Sequence, residues 1–359
     1  MSDPIYDTNA VPTPNATNLF ELLKAASQRP VILVAFALAL TACASSLPIT
    51  TSVPNTTRIL LDADTANELD DLYAIAQVIA EPDLDLIALT SSHFNNTEIG
   101  TTGRWHAYDT TRDLGRGLDT VGASQRENKT ILDLMGATGI PHPLGAREMI
   151  GYSWGYFEGA PVPDAPAVDA IIAEGRAASP EGRLDLVAVG PLTNVAAALI
   201  KAPDIAPNVR VWWLGAGWKD GVWNKNRFNV RNDLNAADYL LDSPEVELIM
   251  MPTETARALM FQRDRTLPAL AAVDHPLARH LADRWAFVNA QGEWTQWDMA
   301  LTLAIAHPEW ATLETVAAPP ENEREAVKVF TAIDAPAMEA HFFDLIESWA
   351  ASQRAGSAP

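Results

Sequence analysis

From Arg58 onward the chain alternates short apolar runs with longer amphipathic stretches. Ile59-Leu60-Leu61 has the length and composition of a buried strand, and Leu69 to Ile79 follows it as a helix. Leu86 to Thr90 (LIALT) is a second strand. Further along, Ala167 to Ala177 is expected to be helical, Leu184 to Val189 (LDLVAV) a strand, and Val195 to Ile200 part of a helix. Val209 to Leu214 (VRVWWL) and Val246 to Met250 (VELIM) are further strands, separated by a helix over Leu234 to Leu241. Strands that alternate with helices make βαβ units, so the expected class is α/β, with an open, mostly parallel, doubly wound sheet flanked by helices. Ligands of such sheets lie beyond the carboxyl ends of the strands. The residues just after each strand are therefore where chemistry is sought.

The first 57 residues follow a different pattern. Arg29-Pro30 precedes ten apolar residues, Val31 to Leu40 (VILVAFALAL), and then Thr41-Ala42-Cys43. Ten apolar residues are short for a bilayer span but suit a signal-peptide core. Leu40-Thr41-Ala42-Cys43 resembles the bacterial lipobox, in which the cysteine is lipidated; the alternative is a short buried helix with a chance cysteine. Residues 1–43 are thus expected to be an N-terminal extension plus lipoprotein signal. Residues 44–57, rich in Ser, Thr and Pro, are expected to be a tether, 58–350 the folded domain and 351–359 a flexible tail. This organisation places the domain on the periplasmic side of a bacterial membrane, held there by lipid on Cys43.

Charge narrows the partners. With 46 acidic against 25 basic residues the net charge is −21, a field that repels nucleic-acid phosphates and anionic membranes. Cys43 is the single cysteine, which excludes an intramolecular disulfide and a cysteine-built metal site.

The first strand leads into Asp62-Ala63-Asp64-Thr65-Ala66-Asn67-Glu68-Leu69-Asp70-Asp71, five carboxylates within ten residues. Like charges this close must take up protons or share a cation. A donor set of oxygens alone points to Ca²⁺ or Mg²⁺, and irregular ligand spacing favours the more tolerant Ca²⁺. Leu60 to Thr65 also carries the DxDxT pattern of haloacid-dehalogenase-type phosphotransferases, with Asp62 as nucleophile. That chemistry needs a later lysine and a distal acidic pair, and beyond Lys219-Asp220 no convincing acidic motif follows.

Gly190-Pro191-Leu192-Thr193-Asn194 follows the strand LDLVAV and opens a helix. Together with the acidic opening, VGPLTNVAAAL closely resembles the signature of the inosine–uridine-preferring nucleoside hydrolase superfamily. Phe228-Asn229-Val230-Arg231-Asn232-Asp233 and Trp297-Asp298 extend the resemblance, in the family's order, over about Arg58 to Trp310. It implies a Rossmann-like nucleoside hydrolase fold, often oligomeric, and Ca²⁺-dependent hydrolysis of the N-glycosidic bond of ribonucleosides or related N-ribosides. By the same resemblance Asp64 is a calcium ligand and the base that takes a proton from the attacking water. Asp71, the backbone carbonyl of Thr193 and Asp298 complete the protein's ligands, while Asp70 and Asn229 hold ribose hydroxyls. Asn95 matches an asparagine of the pocket, and Asp62 is a supporting carboxylate. A non-catalytic lipoprotein that keeps the cradle to bind a ribosyl ligand is the reading from another class.

Three departures from the family pattern bear on substrate. The usual DxDPGxDD is DADTANELDD here, two residues longer, so that Glu68 either faces the site or is an ordinary first-turn acid. Arg227 stands where well-studied members carry a glutamate for the sugar's 5′-hydroxyl. Arginine suits an anionic 5′ group, or else lies on a surface loop. Trp297 replaces the histidine that protonates the departing base in some members; it can stack on a base or pack in the core, but cannot supply a proton.

Overall fold

The computed structural model describes residues 56–94, 119–288 and 290–356. Cys43 and the N-terminal signal and tether lie outside the described residues, as does Asn95. Among the described residues no helix is long and apolar enough to cross a membrane.

The main sheet has seven strands, and five of them match the expected apolar runs: β1 (Thr57–Ala63), β2 (Leu84–Ser91), β3 (Leu184–Ala188), β4 (Val209–Leu214) and β7 (Glu247–Met251). Its order is β10-β11-β7-β4-β3-β1-β2, with β10 (Ala311–Ala317) and β11 (Ala326–Ile333) at one edge. Every pairing is parallel except β10 with β11. Two small hairpins pair β5 (Gly217–Lys219) with β6 (Val222–Asn224), and β8 (Met260–Gln262) with β9 (Glu293–Thr295). β1 is apolar without alternation because both its faces are covered, as parallel sheets require. Ile59, Leu61 and Ala63 enter one apolar layer and Leu60 the other, the two-residue period of a strand.

One layer holds α1 (Asp70–Ala80), and the other α3 (Pro166–Ala177), α4 (Thr193–Lys201) and α6 (Leu234–Leu241); α2 (Thr120–Leu134) joins the first. Between α4 and α6 lies the short α5 (Phe228–Asn232). Beyond β7 come α7 (Thr253–Ala256), α8 (Arg263–Ala272), α9 (Pro276–Phe287), α10 (Trp297–Ala306) and α11 (Ala335–Gly356). The last of these runs past residue 350, where the domain was expected to end. Met338, Phe342, Ile346 and Ala350 form a fully buried stripe at four-residue spacing that carries the helix onward. Phe342 packs against Tyr73 of α1 at 5.3 Å between ring centroids.

Chain order reverses at β1. The chain goes from β1 to β2 on one side and returns to β3 on the other, and both neighbours pair with β1 in parallel. The helices after β1 and β3 therefore leave on opposite faces, which opens a crevice at the carboxyl ends of those strands.

Candidate functional site

That crevice is a cavity of about 780 Å³. The acidic loop after β1 forms one wall, and it is pinned from outside itself. Arg284 of α9, buried, donates to the carbonyl oxygens of Glu68 (2.9 Å), Ala66 (2.9 Å) and Thr65 (3.4 Å). From α2, Asn128 accepts the Thr65 hydroxyl and itself donates to the Thr90 carbonyl at 3.3 Å. A guanidinium and a helix amide thus do for this longer loop what a Pro-Gly turn does by backbone preference. Within the loop, the Asn67 side-chain amide donates to Asp64 Oδ2 at 3.0 Å and fixes that carboxyl.

The loop ends at α1, whose N-terminus carries Asp70 and Asp71 with no side-chain cap. α10 packs beside α1 and begins the same way, uncapped, with Asp298 in its first turn. Two helix N-termini therefore face one acidic cluster; their first backbone N–H groups have no partner within the helix, and that of Asp298 donates to the Asp70 carboxyl. Ligand oxygens of Asp70, Asp71 and Asp298 lie within 4.8 Å of one another, all three side chains buried. Burial pushes Asp70 up to about 6. Asp64, Asp71, Asp298 and the half-buried Glu68 are held well above the ordinary carboxylate range, first by burial and then by one another's charge. Arg284 offsets part of this at Asp71. Oδ1 of Asp70 and Oδ1 of Asp71 are buried without a hydrogen-bond partner. Hard oxygen donors, mutual repulsion and orphaned acceptors together fit a divalent cation such as Ca²⁺. The tightest triad includes Asp70, expected at the sugar; Asp64 stands beside it within reach of its charge.

The loop after β3 presses on Asp64 from behind. A Cβ on Gly190 would sit 3.0 Å from Asp64 Oδ1, so glycine is what lets the backbone come this close. Thr193, at the start of α4, is fully buried and is not among the residues lining the cavity. Its hydroxyl donates to Asp233 (2.7 Å) and lies 2.8 Å from His93 Nε2. Burial lowers His93 to about 4 and keeps it neutral. Asp233 also caps α6 through the Ala236 amide at 3.0 Å. Asn194 is a bracket, bonding Asp62 Oδ1 (2.8 Å), the Ser91 carbonyl (3.1 Å) and the Ala146 amide (2.8 Å). Asp62 is buried against Thr90 and Asn194 and does not line the cavity. The phosphotransferase reading, which needs it as a nucleophile, fails on that geometry.

The opposite wall carries the sugar and base candidates. Asn229 spends both amide hydrogens on the carbonyls of Val189 (2.7 Å) and Leu214 (2.9 Å), at the ends of β3 and β4, so it can serve a ligand only as an acceptor. Arg227 lines the cavity but is ion-paired with Glu254, which also accepts the Trp218 amide at 3.0 Å. A Cβ on Gly217 would come within 2.7 Å of both side chains of that pair. Trp297 lines the cavity with the Arg257 guanidinium 5.6 Å from its ring centroid.

Arg284, His93 and Glu254 were not anticipated. Nothing local marks Arg284, which lies far along the chain from the loop it holds. Glu254 did carry a signal, since it follows β7 by only a few residues, at the sheet edge where ligands bind.

Residues 59–340 match the inosine-uridine preferring nucleoside hydrolase family model. An uncharacterized protein of Schizosaccharomyces pombe is 29% identical over 217 residues, which spans 56% of this chain and 63% of that protein's length. The non-specific ribonucleoside hydrolase RihC of Salmonella agona is 26% identical over 284 residues, 77% of this chain and 87% of its own. The structure of a purine-preferring ribonucleoside hydrolase from Gardnerella vaginalis superposes with a TM-score of 0.61 at 20% identity. That superposition covers 82% of this chain and 99% of that one, and shows a shared fold.

The cluster has a consequence for stability. A carboxyl whose pKa is raised by folding holds a proton that the unfolded chain has released. Stability therefore falls as pH rises from the ordinary value of 3.8 through about 6, the figure for Asp62 and Asp70. His93, neutral when folded, acts in the opposite sense, but one imidazole opposes seven raised carboxyls. In chelator, Tm is expected to rise on acidification from about pH 7.5 to about pH 5.5; with calcium, Tm at the higher pH should rise and the slope flatten, because the ion replaces protons. A thermal melt series measures both. A chelator-treated protein whose Tm falls across that window contradicts the account.

Proposed function

The chain belongs to the inosine-uridine preferring nucleoside hydrolase family, and from that premise we propose that it hydrolyses ribonucleosides to base and ribose, using a calcium ion held by its buried carboxylates. The observation that carries this reading is the triad Asp70, Asp71 and Asp298, its oxygens within 4.8 Å at two uncapped helix N-termini on a nucleoside-sized cavity. Asp70, Asp71 and Asp298 would hold the ion, with Asp64 beside them; Thr193, whose carbonyl the resemblance also implies as a ligand, does not line the cavity. Bound there, the ion would neutralise the cluster and lower the pKa of the attacking water.

The remaining work falls to side chains of this chain. Asp64, fixed by Asn67, accepts a proton from the water once its neighbours no longer force it to stay protonated. The carboxylates stabilise the oxocarbenium character that develops at the ribosyl carbon. Asn229 accepts from a ribose hydroxyl through its one remaining polar atom. Trp297 offers a ring face to the base and no proton. Glu254 supplies beside Arg227 the carboxylate that the sequence lacks at 227, so the favoured substrate carries a free 5′-hydroxyl.

Two measurements test this. Across a panel of nucleosides the protein should release base with calcium and not with chelator, and Asp64→Asn should lower kcat by about 10²–10⁴-fold. Calcium binding without release of any base would leave only the non-catalytic reading. Glu254→Gln should raise KM for inosine about tenfold, the cost of roughly one hydrogen bond to a charged group, and inosine should outcompete its 5′-monophosphate. Preference for the monophosphate sinks the role given to Glu254.

We also place the domain on the periplasmic side of a bacterial membrane, lipid-anchored through Cys43, on the strength of the run Val31 to Leu40 and the residues after it. Cys43→Ser should then move the protein from membrane to soluble fractions of the producing cell. An unchanged distribution argues against the anchor.

A further inference from the structure

α1 and α10 each have a second end, away from the acidic cluster. Glu81 is the residue that closes α1, and His307 closes α10. His341, on α11, completes a group with them. Its Nε2 lies 2.9 Å from Glu81 Oε2, His307 Nε2 lies 3.3 Å from the same oxygen, and the two Nε2 atoms are 3.2 Å apart. Glu81 is buried, and both imidazoles are partly so.

Hydrogen bonds alone do not satisfy this triangle. Glu81, when ionised, only accepts, and each histidine brings one Nε2 to the triangle. If both nitrogens carry hydrogens, the two N–H groups oppose each other. If either lacks one, its lone pair faces the carboxylate or the other ring's nitrogen, and one edge of the triangle still has no favourable pairing. A cation at the centre makes all three contacts attractive. Tetrahedral zinc, with bonds of about 2.0–2.1 Å, places its ligand atoms about 3.3–3.4 Å apart, close to the separations seen here.

The surroundings fit such an ion. Glu309 Oε1 is 3.5 Å from His307 Nδ1, placed to hold the ring as the tautomer whose Nε2 is a ligand. Gln77 donates to Glu81 Oε2 at 3.3 Å, and Trp310 stacks on His307 with centroids 3.9 Å apart. The carboxyl ends of two helices add negative potential. One oxygen and two imidazole nitrogens make a set for zinc-class metals, where the oxygen-only cluster suits a harder ion. The eleven residues of α1 put about 16 Å between the two clusters along the helix.

We propose that Glu81, His307 and His341 form a second metal site, for zinc or a like transition ion, that fastens α11 to α1 and α10. The role is structural: the three protein ligands come from the three elements it joins, and a water would complete the four-coordinate shell.

The test uses full-length protein stripped of metal and then saturated with calcium, to fill the acidic cluster as proposed above. Titration with Co²⁺ should produce the strong visible bands of a four-coordinate ion. Titration with Zn²⁺ should show one site per chain and raise Tm. His341→Ala, at a partly exposed position, should lose the cobalt bands, weaken zinc binding by about a hundredfold or more and abolish the Tm response, while its calcium response persists. Glu81→Gln should repeat the loss. Wild-type protein that gives no four-coordinate cobalt spectrum overturns the proposal, and so does an unchanged zinc stoichiometry and affinity in His341→Ala.

Discussion

Five carboxyl groups brought out of water into one corner of a sheet repel each other, and the architecture around them is organised to contain that repulsion. No single strand or helix could do it. The acidic loop is gripped at its carbonyls by Arg284 and at Thr65 by Asn128, and the absence of a side chain on Gly190 leaves room for the Asp64 carboxyl. These restraints come from α9, α2 and the turn after β3, three elements that meet only in the folded chain. Two uncapped helix ends add a field that favours negative charge, and the divalent ion proposed for the site would supply the rest. A buried anion cluster of this kind costs stability when empty and contributes it when filled, so ion binding and folding are coupled.

The motif residues divide into those that touch the cavity and those that shape it. In the run Gly190 to Asn194, recognisable as a signature, no side chain lines the cavity. Asn194 binds the ends of β1 and β2 together, Thr193 links His93 to Asp233, and Gly190 admits a close backbone approach. Asn229 works both ways, since its amide hydrogens tie β3 to β4 and its oxygen is left for a ligand. Signatures of this sort mark the frame as much as the chemistry.

The fold was legible because its central strands are buried on both faces and stand out as unbroken apolar runs. The edge pair β10 and β11 did not stand out: ATLETVA mixes polar and apolar positions because much of β10 faces solvent. The acidic site was legible for a similar reason, as clustered charge next to an apolar strand is unusual. Its supports were not. Arg284 is one arginine in an ordinary amphipathic helix, and only the three-dimensional return of α9 to the first loop gives it meaning. Arg227 was seen as a departure, but its sense changes once Glu254, which no local pattern connects to it, is placed against it. Glu81, His307 and His341 are scattered singly through the sequence and converge only because three helices end or cross at one point.

The reach of Arg284 back to the Glu68 carbonyl has a consequence in time. As the chain emerges N-terminus first, Asp64, Asp70 and Asp71 appear long before Arg284 and Asp298, and until those arrive the acids have no enclosure and stay hydrated. The site is assembled by contacts more than two hundred residues apart in sequence, which close slowly compared with local helices and turns. An unfinished chain thus carries a loose acidic ribbon in place of an ion trap, and the cation-binding centre comes into being only after the C-terminal half has docked.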